Sequence, residues 1–285
     1  MNPYWLFPIS VAVSVLGSMI GAGGGFLLVP IMLLAYPDES PAIVTFISLC
    51  TVLLNAMSAT LRYARMQRID FRSGLAFGSA TVLPAVIGVI AVRRVDTRSF
   101  SPVFGVFLVV VALLLVRKLF MKPRCDLPPR ANPEWTRRCF KDTLGVEHVY
   151  SFSMPLALTF SGLVGFISSF FGIGGGIVHV PIMTQVLGFP VFVATATSVL
   201  VLLISTFCGV VTHVISMMFT AQAAEGAPVA VSLVLKQIGA AGAGALIGGQ
   251  IGARIAHRIS GRNILLILAA ALCVAGVRLL MRAFS

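Results

Sequence analysis

The sequence predicts an all-α polytopic membrane protein built from two homologous, inverted halves. Three observations predict it: an apolar composition with few charges, stretches long enough to cross a bilayer, and a glycine run that recurs in the second half. The 285 residues are 58% hydrophobic and 11% charged, with a mean hydropathy of +1.00. Soluble domains carry about 25% charged residues, so the chain lacks the polar surface that a water-exposed globule needs. A transmembrane β-barrel would show ~10-residue segments of alternating hydropathy, a pattern the sequence does not have.

The first apolar segment, near 4–36, contains GAGGGFLLVPIM from Gly21 to Met32. As one straight helix it would run about 50 Å at ~1.5 Å per residue, too long for a hydrocarbon core of about 30 Å. Glycine is a poor helix former, so the run predicts a break, either a re-entrant hairpin or two crossings. Segments near 41–61, 73–92 and 100–116 follow as three spans and close a first transmembrane repeat, 1–116. Residues 117–148, rich in Pro, Lys and Arg, read as a basic cytoplasmic linker too short to fold alone. The second repeat, 149–285, opens with another over-long segment near 152–188, which contains GIGGGIVHVPIM from Gly172 to Met183. Segments near 191–218, 228–253 and 263–281 complete it.

The halves align beyond the glycines. Gly21 meets Gly172, Pro30 meets Pro181 and Met32 meets Met183; with one residue dropped, Thr45 meets Thr195, Ser48 meets Ser198 and Asn55 meets Ser205. IGVIAVRRV (87–95) parallels GGQIGARIAHRI (248–259). Such duplication is typical of secondary transporters. If each broken segment returns to its starting side, a half makes three further crossings and the repeats are inverted, with both termini outside. The loop Lys and Arg place the linker in the cytoplasm whether or not the break returns. The net charge of +12 therefore reads as a topology signal and not as a nucleic-acid surface.

Unwound backbone in lipid leaves N–H and C=O groups unpaired at several kcal/mol each, so a break survives only against protein or water. Gly23, Gly24 and Gly25 in the first run, and Gly174, Gly175 and Gly176 in the second, are placed to line a cavity. The half-helices that follow point their N-terminal N–H groups at it, and a helix N-terminus attracts anions. Close helix packing through small residues is the competing reading. Thr45, Ser48, Thr51, Asn55 and Ser58 stack on one helix face. Thr195, Ser198, Ser205, Cys208, Thr212 and His213 follow the same trend. These groups can donate to an oxyanion or serve as interhelical packing bonds. His179, His213 and Lys236 are the ionisable side chains at or near membrane depth, where such groups are functional candidates for proton coupling or anion attraction. The acids Asp38, Glu39 and Glu225 fall in loops, which disfavours a Na⁺ site or a carboxylate relay and favours an anionic substrate. The five cysteines form no metal or disulfide framework. No enzymatic motif occurs, so neither catalysis nor a cofactor is expected.

The GxGGGxxxVP runs of both halves, ATATSVL (194–200) and GGQIGARIAHRIS (248–260) resemble the TauE/SafE family of sulfite and organosulfur anion permeases. The resemblance implies a secondary carrier, in the plasma (inner) membrane of a bacterium, that exports sulfite or an organosulfonate such as sulfoacetate. It places substrate at Gly23, Gly24, Gly25, Ser48 and Asn55, and at Gly174, Gly175, Gly176, Thr197 and Ser198, with the second-half histidine of the pattern on His213. DESP (38–41) departs from the shorter apolar turn usual there. The expected partners are a small anion and the lipid bilayer, and the oligomeric state stays open, a homodimer being one option. A channel-like anion pore, a carrier of a non-sulfur organic anion and a non-transporting scaffold are the alternatives.

Overall fold

A computed structural model describes residues 3–37, 39–120, 135–141, 147–221, 228–256 and 261–283. The rest of the linker with Cys125, and the loop acids Asp38 and Glu225, lie outside the described residues. The helices in chain order are α1 (Leu6–Ile20), α2 (Gly25–Ala35), α3 (Pro41–Arg65), α4 (Phe71–Val92), α5 (Thr97–Phe120), α6 (Met154–Phe171), α7 (Gly176–Gln185), α8 (Val191–Ala221), α9 (Pro228–Ile255) and α10 (Gly261–Ala283). Among the described residues seven helices are long and apolar enough to cross a membrane: α1 with the short turn before it, α3, α4, α5, α6, α8 and α9. The protein is therefore a polytopic helical membrane protein. Exposed Leu83, Leu113 and Phe207 give its outer faces an apolar surface suited to hydrocarbon.

The glycine runs break both over-long segments. α1 ends at Gly21 in a left-handed cap, with the Ala22 and Gly23 N–H groups donating to the Gly17 carbonyl at 2.7 and 3.2 Å. Gly21, Gly23 and Gly24 have φ of 78°, 77° and 88°; Gly172, Gly174 and Gly175 have 70°, 79° and 69°. Side chains other than glycine's rarely tolerate this region, so the two runs write the same sharp turn twice. The chain then doubles back. A Cβ on Gly17 would strike the backbone of Gly24, and one on Gly24 would lie 3.0 Å from the Val13 carbonyl. A continuing helix would put Gly24 about 10 Å beyond Gly17. Likewise Gly175 lies against Val164 and Ser168. Each broken segment is a tight re-entrant turn, and the returning helices α2 and α7 have only 11 and 10 residues.

Contacts then recur with the halves exchanged. α1 packs on α9, and α6 packs on α4. Gly252 meets Val15 and Ser18, while Gly88 meets Phe166 and Ser169. Gly242 faces Leu54 where Gly78 faces Ile204, and Gly105 and Gly276 meet each other's carbonyls. The corresponding helices α3 and α8 pack with opposite chain direction: Phe46 lies beside His213 with ring centroids 5.4 Å apart, Gly209 lies against Leu49, and Val52 and Leu202 flank the same glycines. α5 and α10 also run oppositely, since Gly105 meets Leu280 and Gly276 meets Val109.

Part of the segment read as a bare linker forms a β-hairpin, β1 (Thr136–Lys141) with β2 (Glu147–Phe152), antiparallel in register Arg138 opposite Tyr150. His148, Tyr150 and Phe152 alternate inward along β2. Phe152 packs with Phe77 of α4 and with Phe189 before α8. Asp70 caps α4 by accepting from Ser73 N–H at 3.1 Å; its carboxylate also accepts from the Ser73 hydroxyl, accepts from Tyr150 OH at 2.7 Å, and faces Arg138 Nε at 3.5 Å. A folded hairpin is thereby fastened to the membrane helices by one buried carboxylate. Burial, with Asp70 next in effect, pushes the Tyr150 phenol well above the usual tyrosine range, so it stays a donor.

Candidate functional site

The two re-entrant turns touch each other. Gly25 is close enough to the Gly172 carbonyl that a Cβ would sit 2.7 Å from it, and a Cβ on Gly176 would run into the Gly21 carbonyl. Each turn exposes a carbonyl at its start, and a serine from the opposite half satisfies it: Ser48 donates to Gly172 O at 2.6 Å, and Ser198 donates to Gly21 O at 3.1 Å. Thr195 lies against Gly21 and Thr45 against Gly172 in the same exchanged manner. The sequence reading offered ligand donation or packing bonds for these hydroxyls; in this structure Ser48 and Ser198 staple the two breaks together.

Beyond the staples the turns differ. In the first half Asn55 completes the network, donating through Nδ2 to Gly23 O at 2.7 Å and accepting through Oδ1 from Ser18 Oγ at 2.6 Å. Tyr63 OH donates to Ser18 O at 2.9 Å. The corresponding second-half positions are Ser205 for Asn55, Ser169 for Ser18 and His213 for Tyr63. Among the described residues Ser205 Oγ, Ser169 Oγ and His213 Nε2 are all buried with no hydrogen-bond partner. Ser168 Oγ and His179 Nδ1 are in the same condition. Buried polar groups are normally paired: these five on α6, α7 and α8 are not, whereas Ser18, Asn55 and Tyr63 around the first break are all bonded, with Ser14 Oγ on α1 unpaired further back.

A small cavity lies on the second-half side, with room for about one water molecule. Its walls are largely apolar, with Val164, Gly165, Gly174–Gly176, Val201 and Leu202, and carry Thr81, Ser168, His179, Ser198 and Ser205 at their edges. No Lys, Arg, Asp or Glu lines it. Ser168, Ser205 and His179 are 1%, 3% and 2% exposed. His179 Nε2 lies 3.1 Å from Ser161 Oγ. A serine hydroxyl donating to Nε2 leaves Nδ1 carrying the proton, as a further donor. The Thr81 hydroxyl donates to the Gly78 carbonyl of its own helix at 2.6 Å. In the first turn of α7 the Gly176 N–H is turned to Gly174 O at 2.9 Å, and the Val178 and His179 N–H groups donate to Gly175 O at 3.0 and 2.9 Å, so the helix end acts on the cavity chiefly through its dipole.

Of the residues singled out from sequence, Gly174, Gly175, Gly176, Ser198 and His179 meet at this cavity. Gly23, Gly24 and Gly25 form the facing turn, and Ser48 and Asn55 hold the breaks in shape. Thr197 is elsewhere: its hydroxyl accepts from Asp70 N–H at 3.1 Å, at the start of α4. His213 packs against Phe46 and does not line the cavity, and Lys236 is exposed on α9. Ser161 and Ser168, which the sequence reading passed over, belong to the site. Their signal was their place on α6 before a glycine break, Ser168 about one turn back and Ser161 about three, where a hydroxyl on the same face can reach the gap. Among the described residues no group of His, Cys, Asp or Glu is arranged to hold a metal ion.

The family model described as "Sulfite exporter TauE/SafE" matches residues 6–279. A probable membrane transporter protein of Bacillus subtilis, YunE, is 30% identical over 281 residues, covering 96% of each chain. A probable membrane transporter protein of Methanocaldococcus jannaschii is 27% identical over 214 residues, covering 73% of this chain and 71% of its own. A third, from Xylella fastidiosa, is 26% identical over 182 residues, covering 64% and 62%. No solved structure matches the chain.

Proposed function

The chain belongs to the sulfite exporter TauE/SafE family, and from that premise we propose that it exports a small sulfur-containing anion, sulfite or an organosulfonate, by alternating access as a secondary transporter of a bacterial inner membrane. One observation carries the reading. Two glycine breaks in contact, each with its leading carbonyl held by a serine of the other half, close over a small, largely apolar cavity edged by serine, threonine and histidine side chains and without charged walls. Neutral donors suit a carried anion, because a lysine or arginine in a dry cavity would hold it too strongly to release.

The opposite chain directions of α3 and α8, and of α5 and α10, support inverted repeats. If corresponding helices both cross the membrane and run oppositely, the two-fold axis relating them lies in the membrane plane. The packing also supports a mechanism. α1, α3 and α9 form one group and α4, α6 and α8 another, each mixing both halves. They meet along α3 and α8, where the staples lie. Rocking one group against the other would open the cavity to one side and then to the other. The closed cavity described here is too small for sulfite, so it represents neither open form.

Uptake into proteoliposomes of labelled sulfite, thiosulfate, sulfate and sulfoacetate, with and without a pH gradient, tests the reading. Saturable uptake of a sulfur anion is the expected result. Non-saturating flux would show a pore, and no flux of any anion would refute transport.

A further inference from the structure

We propose that the anion site is single, belongs to the second-half break alone, and accepts anions of one negative charge. The inference rests on the transport reading above. At the first break the side chains of the network are all paired: Asn55 uses both ends of its amide on Gly23 O and Ser18 Oγ, and Tyr63 OH donates to Ser18 O. At the corresponding second-half positions the chain carries shorter or different side chains, and their polar atoms stay unpaired. Ser168, Ser205 and His179, each at least nine-tenths buried, line one cavity with the N-terminus of α7, and their Oγ, Oγ and Nδ1 atoms have no partner among the described residues. The hydroxyls of Ser198 and Thr81, also at the wall, are held by Gly21 O and Gly78 O. A site of two serine hydroxyls, the His179 ring and one helix end therefore remains.

The charge limit follows from electrostatics. The cost of removing an ion from water grows as the square of its charge, so a dianion costs about four times what a monoanion of its size does. Attraction to neutral donors and to a helix N-terminus of roughly half a positive charge grows only in proportion to the charge. With no cation in the wall, a second negative charge increases the penalty faster than the attraction. Bisulfite and simple sulfonates fit this class; sulfate and sulfoacetate, with two charges, do not.

Methanesulfonate, permanently monovalent, and sulfate, divalent at neutral pH, separate the cases when binding and proteoliposome uptake are measured on the full chain. Methanesulfonate is expected to bind at least tenfold more tightly than sulfate. Ser168→Ala and Ser205→Ala should each weaken it about tenfold, as loss of a hydrogen bond to a charged group does. Ser205→Asn, which restores the first half's amide, should abolish binding in protein that remains monodisperse. If Ser205→Asn does not fold, the two alanine variants carry the test. Sulfate binding within twofold of methanesulfonate overturns the charge limit. Wild-type affinity in the Ser168→Ala, Ser205→Ala double variant overturns the location. Uptake of thiosulfate or sulfate with none of methanesulfonate overturns this inference and leaves the transport reading standing, whereas uptake of no anion refutes the transport reading itself.

Discussion

Replacing Asn55 by alanine tests whether the first break is held by a specific amide. The change removes two bonds, Nδ2 to Gly23 O at 2.7 Å and Ser18 Oγ to Oδ1 at 2.6 Å. The Ser18 hydroxyl can turn to a carbonyl of its own helix, so its loss is small. Gly23 O has no such recourse: it sits in a turn with φ of 77°, where no helical donor faces it. A buried acceptor left unsatisfied costs about 1–3 kcal/mol, and the gap left beside Gly249, which packs on Asn55, adds about 1 kcal/mol more. The expected loss is about 2–4 kcal/mol. Ordinary interhelical bonds in membranes average about 0.6 kcal/mol, so two of them would give only about 1.2. Reversible unfolding in mixed detergent and SDS micelles measures the difference. Ser205→Ala, at the corresponding position, removes no bond but takes away a buried hydroxyl without a partner, so it should be neutral or stabilising by up to about 1–3 kcal/mol. An Asn55→Ala loss below 0.5 kcal/mol, or equal losses in the two variants, would refute the claim that the halves are differently locked.

Gly176→Ala should sharply reduce the yield of folded protein, because its methyl meets the Gly21 carbonyl and backbone cannot move aside. Gly239→Ala on α9, with nothing within 4 Å of its Cβ, should be neutral or stabilising by up to about 1 kcal/mol in the same unfolding assay. Ser48→Ala and Ser198→Ala should each destabilise by about 0.6–1.7 kcal/mol, and a double-mutant cycle on transport rate should show coupling, since both staple the same contact; additive effects would count against the staple. Tyr150 has its phenol pKa raised in the folded protein, so its contribution to hairpin docking is complete below the unfolded tyrosine value of about 10 and is lost as pH rises above it. Trp135 fluorescence in a Trp5→Phe background should therefore change above about pH 10, and Tyr150→Phe should remove that transition; an identical alkaline transition in both would sink the assignment.

Much of this architecture is legible in the sequence because its cause is local. A run of glycines in an over-long apolar segment can only be a break, and its repetition at matched spacing marks the duplication. The choice between a hairpin and two crossings was not legible, because it depends on Gly24 folding back on Gly17 and Val13. The staples were half legible. Ser48 and Ser198 stood out as hydroxyls on apolar faces, but their partners lie 124 and 177 residues away, across a fold that periodicity does not describe. Asn55 read as a donor for a ligand because an amide in lipid calls for a partner; the partner is the chain's own Gly23 carbonyl. Thr197 shares a motif with Ser198 but points a third of a turn away, to the cap of α4. The hairpin escaped because Arg137, Arg138 and Lys141 make its strands look like solvated linker, although EHVYSF carries the alternation that buries His148, Tyr150 and Phe152.

The difference between the breaks bears on how a duplicated carrier can work. Two identical halves would present two identical sites, and a substrate would find no reason to occupy one. Here four pairs of corresponding positions have diverged: Gly17 and Ser168, Leu28 and His179, Asn55 and Ser205, Tyr63 and His213. In the first half Gly17 and Leu28 are apolar, and Asn55 and Tyr63 are bonded to Gly23 and Ser18; in the second half their counterparts leave polar atoms buried and unpaired. An unpaired buried donor destabilises the closed form in which it is found, by about 1–3 kcal/mol, and a form opened wide enough to admit an anion relieves that penalty. The second break is therefore the one whose conformation a substrate can control, since a ligand shifts an equilibrium only through interactions that differ between the two states. On the proposed rocking mechanism, the first break, satisfied by its own amide, would give the helices a fixed point against which the second could move.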